Sequence, residues 1–181
     1  RQMCIRDRAH ASALRVLRSL ELPPGTALAA TGSFARNEMT PHSDIDVILI
    51  YPEGHEPDPV LVEQLWYPVW DAKYRLDYAL RTPQECGAIA AEDASAGFAQ
   101  LDLAFVAGRK VLVDEARAQL LAAWRRQLQR GFDDFLETAI TRWKRSGAVA
   151  AMTNPDLKNG RGGLRDIQLL SLIHISEPTR L

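Results

Sequence analysis

The stretch TGSFARNEMTPHSDIDVILIYP, residues 31–52, places two aspartates at the start of an apolar run, shortly after a Gly-Ser turn. The run is rich in Ile and Val and closes at a proline, so it predicts a β-strand. Side chains alternate along a strand, so Asp44 and Asp46 are expected on one face and Ile45 and Val47 in the core. Two carboxylates roughly 7 Å apart at their Cα atoms repel each other unless a cation lies between them.

This pattern predicts a site for a hard cation and a polyphosphate. Mg²⁺ takes carboxylate oxygens together with substrate phosphates. The Gly32-Ser33 turn lets backbone N–H groups and a hydroxyl approach a phosphate chain closely, and Arg36 can supply a positive fork to the same group. The alternative for the Ser-Asp pair is turn chemistry, in which Asp44 caps its own backbone.

Both ends of the chain match a translated oligonucleotide. Codons of a transposon-based sequencing adaptor give LSLIHISEPTR, residues 170–180, and its reverse complement gives Met-Cys-Ile-Arg-Asp, residues 3–7. We therefore expect residues 1–8 and 170–181 to be translated adaptor, and no fold prediction rests on them. The alternative is an ordinary amphipathic tail.

Composition argues against several classes of protein. The chain has 22 Lys and Arg residues against 23 Asp and Glu residues. Removing the four arginines and two acids of the ends leaves 18 basic against 21 acidic residues. Nucleic-acid binders carry an excess of basic charge, which this chain lacks. Cys86 is the one cysteine outside the ends, so an intrachain disulfide or a cysteine-rich zinc site is excluded. No apolar run nears the ~20 residues that span a bilayer, and no signal peptide is visible. A cytoplasmic protein is expected.

The rest of the pattern predicts strands early and helices late. Further strands are predicted at 26–31 and 74–80, and the second puts Leu76, Tyr78 and Leu80 opposite Asp77. Helices are predicted at 9–22 and at 58–72, the latter interrupted by a proline, and after residue 83 nearly everything is helical, with breaks near three glycines: Gly108, Gly131 and Gly147. The aromatic residues are expected to pack in the core or between helices: Trp66, Tyr67, Trp70, Trp124 and Trp143.

Gly32-Ser33 followed by Asp44-Ile45-Asp46 resembles the signature of the DNA polymerase beta-like nucleotidyltransferase superfamily. Two longer strings, LWYPVWDAKYRLDYALRT and NPDLKNGRGGLRDIQLL, resemble the N-terminal part of the enzymes that attach and remove uridylyl groups on the nitrogen-regulatory PII protein. The resemblance runs from roughly residue 27 to 169. Departures include Ala35, where the family usually has glycine, and Ala104, where an arginine is expected.

The resemblance implies an α+β fold with a small mixed sheet of the polymerase beta-like palm type. It implies a nucleotidyltransferase catalytic domain over residues 9–113 and a truncated helical substrate-binding region over 114–169. The family continues into a uridylyl-removing domain and glutamine-sensing domains, so this chain is expected to hold only the transferase half.

It also implies a reaction. UTP would bind with its triphosphate on the Gly32-Ser33 turn, and Asp44 and Asp46 would hold Mg²⁺, with Mn²⁺ a possible substitute. A tyrosine hydroxyl of PII would attack the α-phosphorus and release pyrophosphate. For the third catalytic and metal-binding carboxylate we favour Asp77, on an alternating strand, over Asp102. The run 98–106 around Asp102 is predicted to be helical, where this acid would partner a nearby backbone or basic group.

The segment 155–166 is rich in glycine and charge, which predicts a flexible loop that closes over a nucleotide. Its alternative is a solvated loop between helices. The resemblance implies the following nucleotide-binding residues here: Lys158, Arg161, Gly162, Gly163 and Arg165.

Two other functions remain open. One is an adenylyltransferase acting on glutamine synthetase, against which the RTPQE string at 81–85 argues. The other is an inactive fragment that only binds a nucleotide or PII.

Overall fold

The computed structural model describes residues 2–92, 100–167 and 169–170. The chain divides into two compact units, Arg1–Ala123 and Trp124–Leu181. The first contains the sheet, and the second contains the end of a long helix and the segment that follows it. None of the helices described combines the length and the apolar character needed to cross a membrane.

A four-stranded mixed sheet forms the centre of the first unit. Its strands follow the order β3-β2-β1-β4, with β1 antiparallel to β2 and β4, and β2 parallel to β3. Together with the helices this confirms the α+β fold class. The strand bounds are β1 Ala27–Ala30, β2 Ile45–Ile50, β3 Leu76–Arg81 and β4 Ala104–Gly108.

Helices surround the sheet or follow it. A 3₁₀ turn, Val149–Ala151, and a further helical stretch at residues 164–167 and 169–170 come after the longest helix. The helix bounds are α1 Gln2–Arg18, α2 Gly32–Ala35, α3 Pro59–Leu65, α4 Tyr67–Asp71, α5 Pro83–Glu92 and α6 Lys110–Ser146.

Apolar clusters cover both faces of the sheet, because the strands alternate. On β2, Ile45, Val47 and Leu49 join one cluster, while Ile48 and Ile50 join the other. The first cluster takes its helical residues from α1, α2, α3 and α4, and the second takes them from α5 and α6. The predicted burial of Ile45 and Val47 is confirmed, at 0% and 2% exposure.

The predicted interruption by Pro68 is confirmed. Asp58 caps the start of α3 by accepting a 2.8 Å hydrogen bond from the Val60 N–H. Trp66 is both the C-terminal cap of α3 and the N-terminal cap of α4. Pro68 lies in the first turn of α4, where a missing N–H costs no helical hydrogen bond. Trp66 is fully buried, as expected.

Three predictions of secondary structure are wrong in part. Residues 104–108 form strand β4, because pairing with β1 outweighs the local helical pattern of the run 98–106. Residues 98 and 99 lie outside the described residues. The helix α6 continues through Gly131, since one glycine costs only about 1 kcal/mol in a helix. The first helix begins at Gln2 and ends at Arg18, earlier at both ends than 9–22.

Cys86 is a core residue. Its side chain is fully buried in the cluster beside α5 and α6. Burial raises the pKa of its thiol to about 11, so the thiol stays protonated at neutral pH.

Candidate active site

Asp46 and Asp77 lie side by side at the start of two parallel strands. The register of β2 and β3 pairs Asp46 with Asp77 at their Cα atoms, which for neighbouring strands means a separation of about 4.8 Å and side chains on the same face. Asp44 precedes β2 and belongs to this face by alternation. The backbone therefore places Asp44, Asp46 and Asp77 at one end of the sheet.

Their side chains are not gathered around one point. No three His, Cys, Asp or Glu side chains in the described part of the chain are grouped so as to hold a metal ion. Asp44 instead lies 3.4 Å from the Nε of Arg75, and both side chains are more than half exposed. Exposed ion pairs are worth only about 0–1 kcal/mol, so a cation could displace this one at little cost. The oxygen ligands at these backbone positions suit Mg²⁺ or Mn²⁺.

The turn after β1 packs directly on the Asp46 carboxylate. Gly32 has a φ of 57°, and a Cβ there would lie 2.8 Å from Asp46 Oδ2, so only glycine fits without a shift. The Thr31 N–H donates a 3.0 Å hydrogen bond to the Asp46 carbonyl. Phe34, which is 1% exposed, anchors the short helix α2 in the core and leaves Ser33 half-buried beside Gly32.

Arg36 is clamped by two carboxylates. Its Nε donates to Glu38 Oε2 at 2.8 Å and its Nη1 donates to Asp102 Oδ2 at 2.5 Å. Burial lowers the pKa of the guanidinium, but hydrogen bonds and charge from Glu38 and Asp102 outweigh it and raise the pKa above its ordinary value. The predicted contact of Asp102 with a basic group is confirmed, although Asp102 lies in the turn before β4 and not in a helix.

A cleft of about 500 Å³ opens on the β3 side of these carboxylates. Trp70 on α4 is 39% exposed, so the expectation that it packs in the core is wrong for this residue. The helices α3 and α4 turn Trp66 and Val69 inward, which leaves Trp70 on the outer side. The cleft is lined by Asp44, Trp70, Tyr74, Arg75, Leu76 and Asp77.

In the second unit, Asp166 joins the segment 155–166 to the end of α6. From α6, Arg142 Nη2 donates to Asp166 Oδ1 at 2.5 Å, and Trp143 Nε1 lies 3.0 Å from both carboxylate oxygens. From the segment itself, the Gly162 N–H donates to Asp166 Oδ2 at 2.7 Å. The Asp166 and Arg142 side chains are only 15% and 14% exposed. Burial raises the pKa of Asp166, but these hydrogen bonds outweigh it and lower the pKa below its ordinary value.

The same segment is also hydrogen-bonded along its length. Asp156 accepts from the N–H groups of Lys158 and Asn159, and the N–H of Leu164 donates to the Leu157 carbonyl. A Cβ on Gly163 would lie 2.7 Å from that carbonyl oxygen, so this glycine allows a close packing of backbone. Gly160 and Gly163 therefore serve close packing of the backbone, whereas Gly162, with a φ of 83° and open space around it, serves the turn.

Three cations of the segment remain on its surface. Lys158, Arg161 and Arg165 are all exposed, and the Arg161 guanidinium lies 5.5 Å from the centre of the Trp143 ring. The sequence alone did not indicate the roles of Asp166, Arg142, Arg75 or Trp70. The LRD string at 164–166 drew attention to Asp166 but did not indicate its partners. The contacts of Arg142, Arg75 and Trp70 form only when the chain folds, so no local pattern indicates them.

Comparison with known proteins identifies two regions of the chain. A family model described as a nucleotidyltransferase domain matches residues 12–97, and one described as GlnD PII-uridylyltransferase matches residues 130–175. The crystal structure of a toxin-antitoxin with AMP-PNP has a TM-score of 0.42 and 13% identity, covering 72% of this chain and 98% of that one. A likeness at this level carries no argument about fold or function.

Three relatives share the name bifunctional uridylyltransferase/uridylyl-removing enzyme. That of Corynebacterium glutamicum is 54% identical over 93% of this chain and 24% of its own length. That of Mycobacterium tuberculosis is 37% identical over 84% of this chain and 19% of its own length. That of Streptomyces coelicolor is 36% identical over 84% of this chain and 18% of its own length. This chain therefore spans a quarter or less of the length of these relatives. The two family matches and these relatives show that it belongs to the PII-uridylyltransferase family and carries the nucleotidyltransferase domain of that family.

Proposed function

We propose that this chain is the transferase part of a PII uridylyltransferase, which moves UMP from UTP to a tyrosine hydroxyl of the PII signal-transduction protein in the cytoplasm. The observation that carries the proposal is the register that sets Asp46 beside Asp77, with Gly32 packed against the Asp46 carboxylate. The names of the relatives support uridylyl as the group transferred and PII as the acceptor.

Asp44, Asp46 and Asp77 are the residues that would hold Mg²⁺ or Mn²⁺. When bound, such a cation would neutralise charge on the phosphates of the substrate. The chain itself contributes three carboxylates on one face of a rigid sheet. In this proposal Asp44 must leave Arg75 before it can act as a ligand.

The triphosphate would be bound on the β1 side of these acids. The Gly32-Ser33 turn offers backbone N–H groups and a hydroxyl, and Arg36 offers a guanidinium that Glu38 and Asp102 hold in place. A clamped cation loses little side-chain entropy on binding a phosphate. The family resemblance assigns further nucleotide-binding residues to the segment 155–166: Lys158, Arg161, Gly162, Gly163 and Arg165.

The transfer is a single displacement at phosphorus. The tyrosine oxygen forms a bond to the α-phosphorus while the bond from that phosphorus to the bridging oxygen of pyrophosphate breaks. The proton of the phenol passes to a carboxylate, for which Asp77 is the candidate because it lies at the outer side of the acid group, next to the cleft. The products are uridylyl-tyrosine and pyrophosphate.

The test is transfer of label from α-labelled UTP or ATP to PII by the purified chain. We expect labelled PII with UTP and Mg²⁺, far less with ATP, and a loss of about 100-fold or more in Asp46→Asn. Asp114→Asn is the matched control, because it removes an exposed carboxylate of α6 and should leave transfer unchanged. Preference for ATP would favour an adenylyltransferase, and binding of UTP and PII without turnover would favour an inactive binding fragment.

A further inference from the structure

We propose that the cleft beside the acid group is the acceptor site, where the acceptor protein inserts the segment that bears its reactive tyrosine. This inference rests on the proposed function, since it needs an acceptor with an aromatic hydroxyl. The cleft is lined by Asp44, Trp70, Tyr74, Arg75, Leu76 and Asp77.

The order of the strands determines which substrate the cleft can serve. Gly32 follows β1, and Arg36 is bound to Asp102 just before β4, so the phosphate-binding groups lie on the β1 and β4 side of β2. The cleft lies on the opposite side, at β3. In a displacement at phosphorus the attacking and leaving oxygens are roughly in line on opposite sides of the phosphorus. With the leaving pyrophosphate at Gly32 and Arg36, the nucleophile arrives from the β3 side.

The lining of the cleft suits an aromatic side chain carried on a polypeptide. Trp70 is 39% exposed and Tyr74 is half-buried, so their rings offer an apolar surface against which another ring can stack. Asp77 lines the same cleft, so the aromatic surface lies beside the acid group. A volume of about 500 Å³ falls within the range of binding clefts and holds a tyrosine side chain with adjoining backbone.

Arg75 adds a polar contact at the rim. Its side chain is 74% exposed, its Nε lies 3.4 Å from Asp44, and its Nη2 lies 3.4 Å from the His42 carbonyl oxygen. Once Asp44 turns to a cation, the guanidinium can donate to a carbonyl or carboxylate of the acceptor segment. The cleft thus offers an aromatic wall and a hydrogen-bond donor for one polypeptide substrate.

The competing occupant is the base of the nucleotide, which could also stack on Trp70. Binding measurements on the full chain separate the two, because they do not depend on turnover. The dissociation constants for PII and for UTP are measured by calorimetry on the wild type, Trp70→Ala and Trp70→Phe. The control is Phe105→Ala, which removes a ring of similar exposure, 37%, from β4 at the other edge of the sheet.

We expect Trp70→Ala to weaken binding of PII about tenfold or more and to change binding of UTP less than twofold. Trp70→Phe should restore most of the affinity for PII, and Phe105→Ala should change neither constant. Thermal melting of each variant reports whether the fold is intact. Weaker binding of UTP in Trp70→Ala, or an unchanged affinity for PII, would overturn the proposal.

The outcome for the cleft is separable from the outcome for the proposed function. If the wild type binds PII through Trp70 but transfers no uridylyl group, the acceptor site stands and the activity fails. If the wild type transfers the group while Trp70→Ala binds PII normally, the activity stands and the cleft is not the acceptor site. A wild type that does not bind PII at all overturns the acceptor site.

Discussion

At the scale of single residues, Asp77 and Asp102 differ in what surrounds them. Asp77 is exposed and stands in register with Asp46, whereas Asp102 is 30% exposed and bound to Arg36. The alternation of β3 was visible in the sequence, so the position of Asp77 was predictable. The partner of Asp102 was not, because Arg36 is 66 residues away in the chain and meets it only after β1 and β4 pair.

These surroundings predict different kinetic effects for the two acids. We expect Asp77→Asn to lower kcat for transfer by about 100-fold with an unchanged melting temperature, since an exposed acid beside another acid adds no stability. Asp102→Asn should mainly raise KM for UTP, because it loosens Arg36 without touching the reacting atoms. Steady-state kinetics with UTP and PII, together with thermal melting, measure both. Loss of transfer in a stable Asp102→Asn, with Asp77→Asn still active, would show that the acids have been assigned the wrong way round.

At the scale of elements, three of the four strands were predicted, at 26–31, 44–51 and 74–80, and the strand at 104–108 was missed. Residues 45–50 and 76–81 place polar and apolar side chains in a pattern that a strand explains. Residues 104–108 read AFVAG, which has no alternation and fits a helix equally well. Only pairing with β1, distant in sequence, makes them a strand. A local pattern cannot report a contact of that kind.

The segment 155–166 shows the same limit in another form. Its glycines and charges suggested flexibility, but the Asp166 carboxylate receives donors from α6 and from its own turn. Composition indicates which residues are present but not which donors they meet. A carboxylate held in this way gives the segment a stability that depends on pH.

We expect Asp166→Asn to destabilise the chain by about 3 kcal/mol at neutral pH, because it leaves the buried Arg142 cation without its counter-charge. The pKa of Asp166 is lowered in the folded state, so its contribution is complete above the unfolded pKa of about 3.9 and is lost as pH falls through the folded pKa. The difference from wild type should therefore shrink in acid. Urea unfolding followed by tryptophan fluorescence, which includes Trp143, measures it across pH.

The control for this titration is Glu137→Gln, which removes an exposed carboxylate of α6. It should have the same stability as wild type at every pH. A difference between Asp166→Asn and wild type that stays constant down to about pH 2 would mean that the charge of Asp166 does not stabilise the segment.

At the scale of the whole molecule, the fold class followed from the sequence more readily than the site did. Early strands and late helices indicated a half with a sheet followed by a helical half, and the family resemblance supplied the α+β fold with its mixed sheet. The Asp-x-Asp strand indicated two of the three acids. The cleft at Trp70 was not predictable, because helical spacing does not say which face of α4 stays uncovered. The family resemblance implied a boundary after residue 113, whereas the two compact units divide after Ala123, within the unbroken helix α6.

Both apolar clusters of the sheet lie entirely within residues 1–123. The first turns of α6 complete one of them through Leu112, Val113, Ala116, Leu120 and Ala123. A chain that ends at Ala123 therefore keeps both clusters and all four strands, although it loses the buried Trp124. We expect this shortened chain to unfold cooperatively in urea, with a slope that matches the surface of a domain of its size.

The shortened chain also tests whether the second unit binds the nucleotide. It retains Asp44, Asp46 and Asp77 but lacks Lys158, Arg161 and Arg165. We therefore expect it to fold and yet to bind UTP at least about tenfold more weakly than the full chain, because three cations that the family resemblance assigns to the nucleotide are gone. The matched variant is the full chain with Lys158→Gln, Arg161→Gln and Arg165→Gln, which keeps the backbone of the segment and should lose the same affinity. Calorimetric titration with UTP and Mg²⁺ measures all three proteins. If the shortened chain folds and binds UTP as tightly as the full chain, the nucleotide site lies within residues 1–123 and the cations of the second unit have another role.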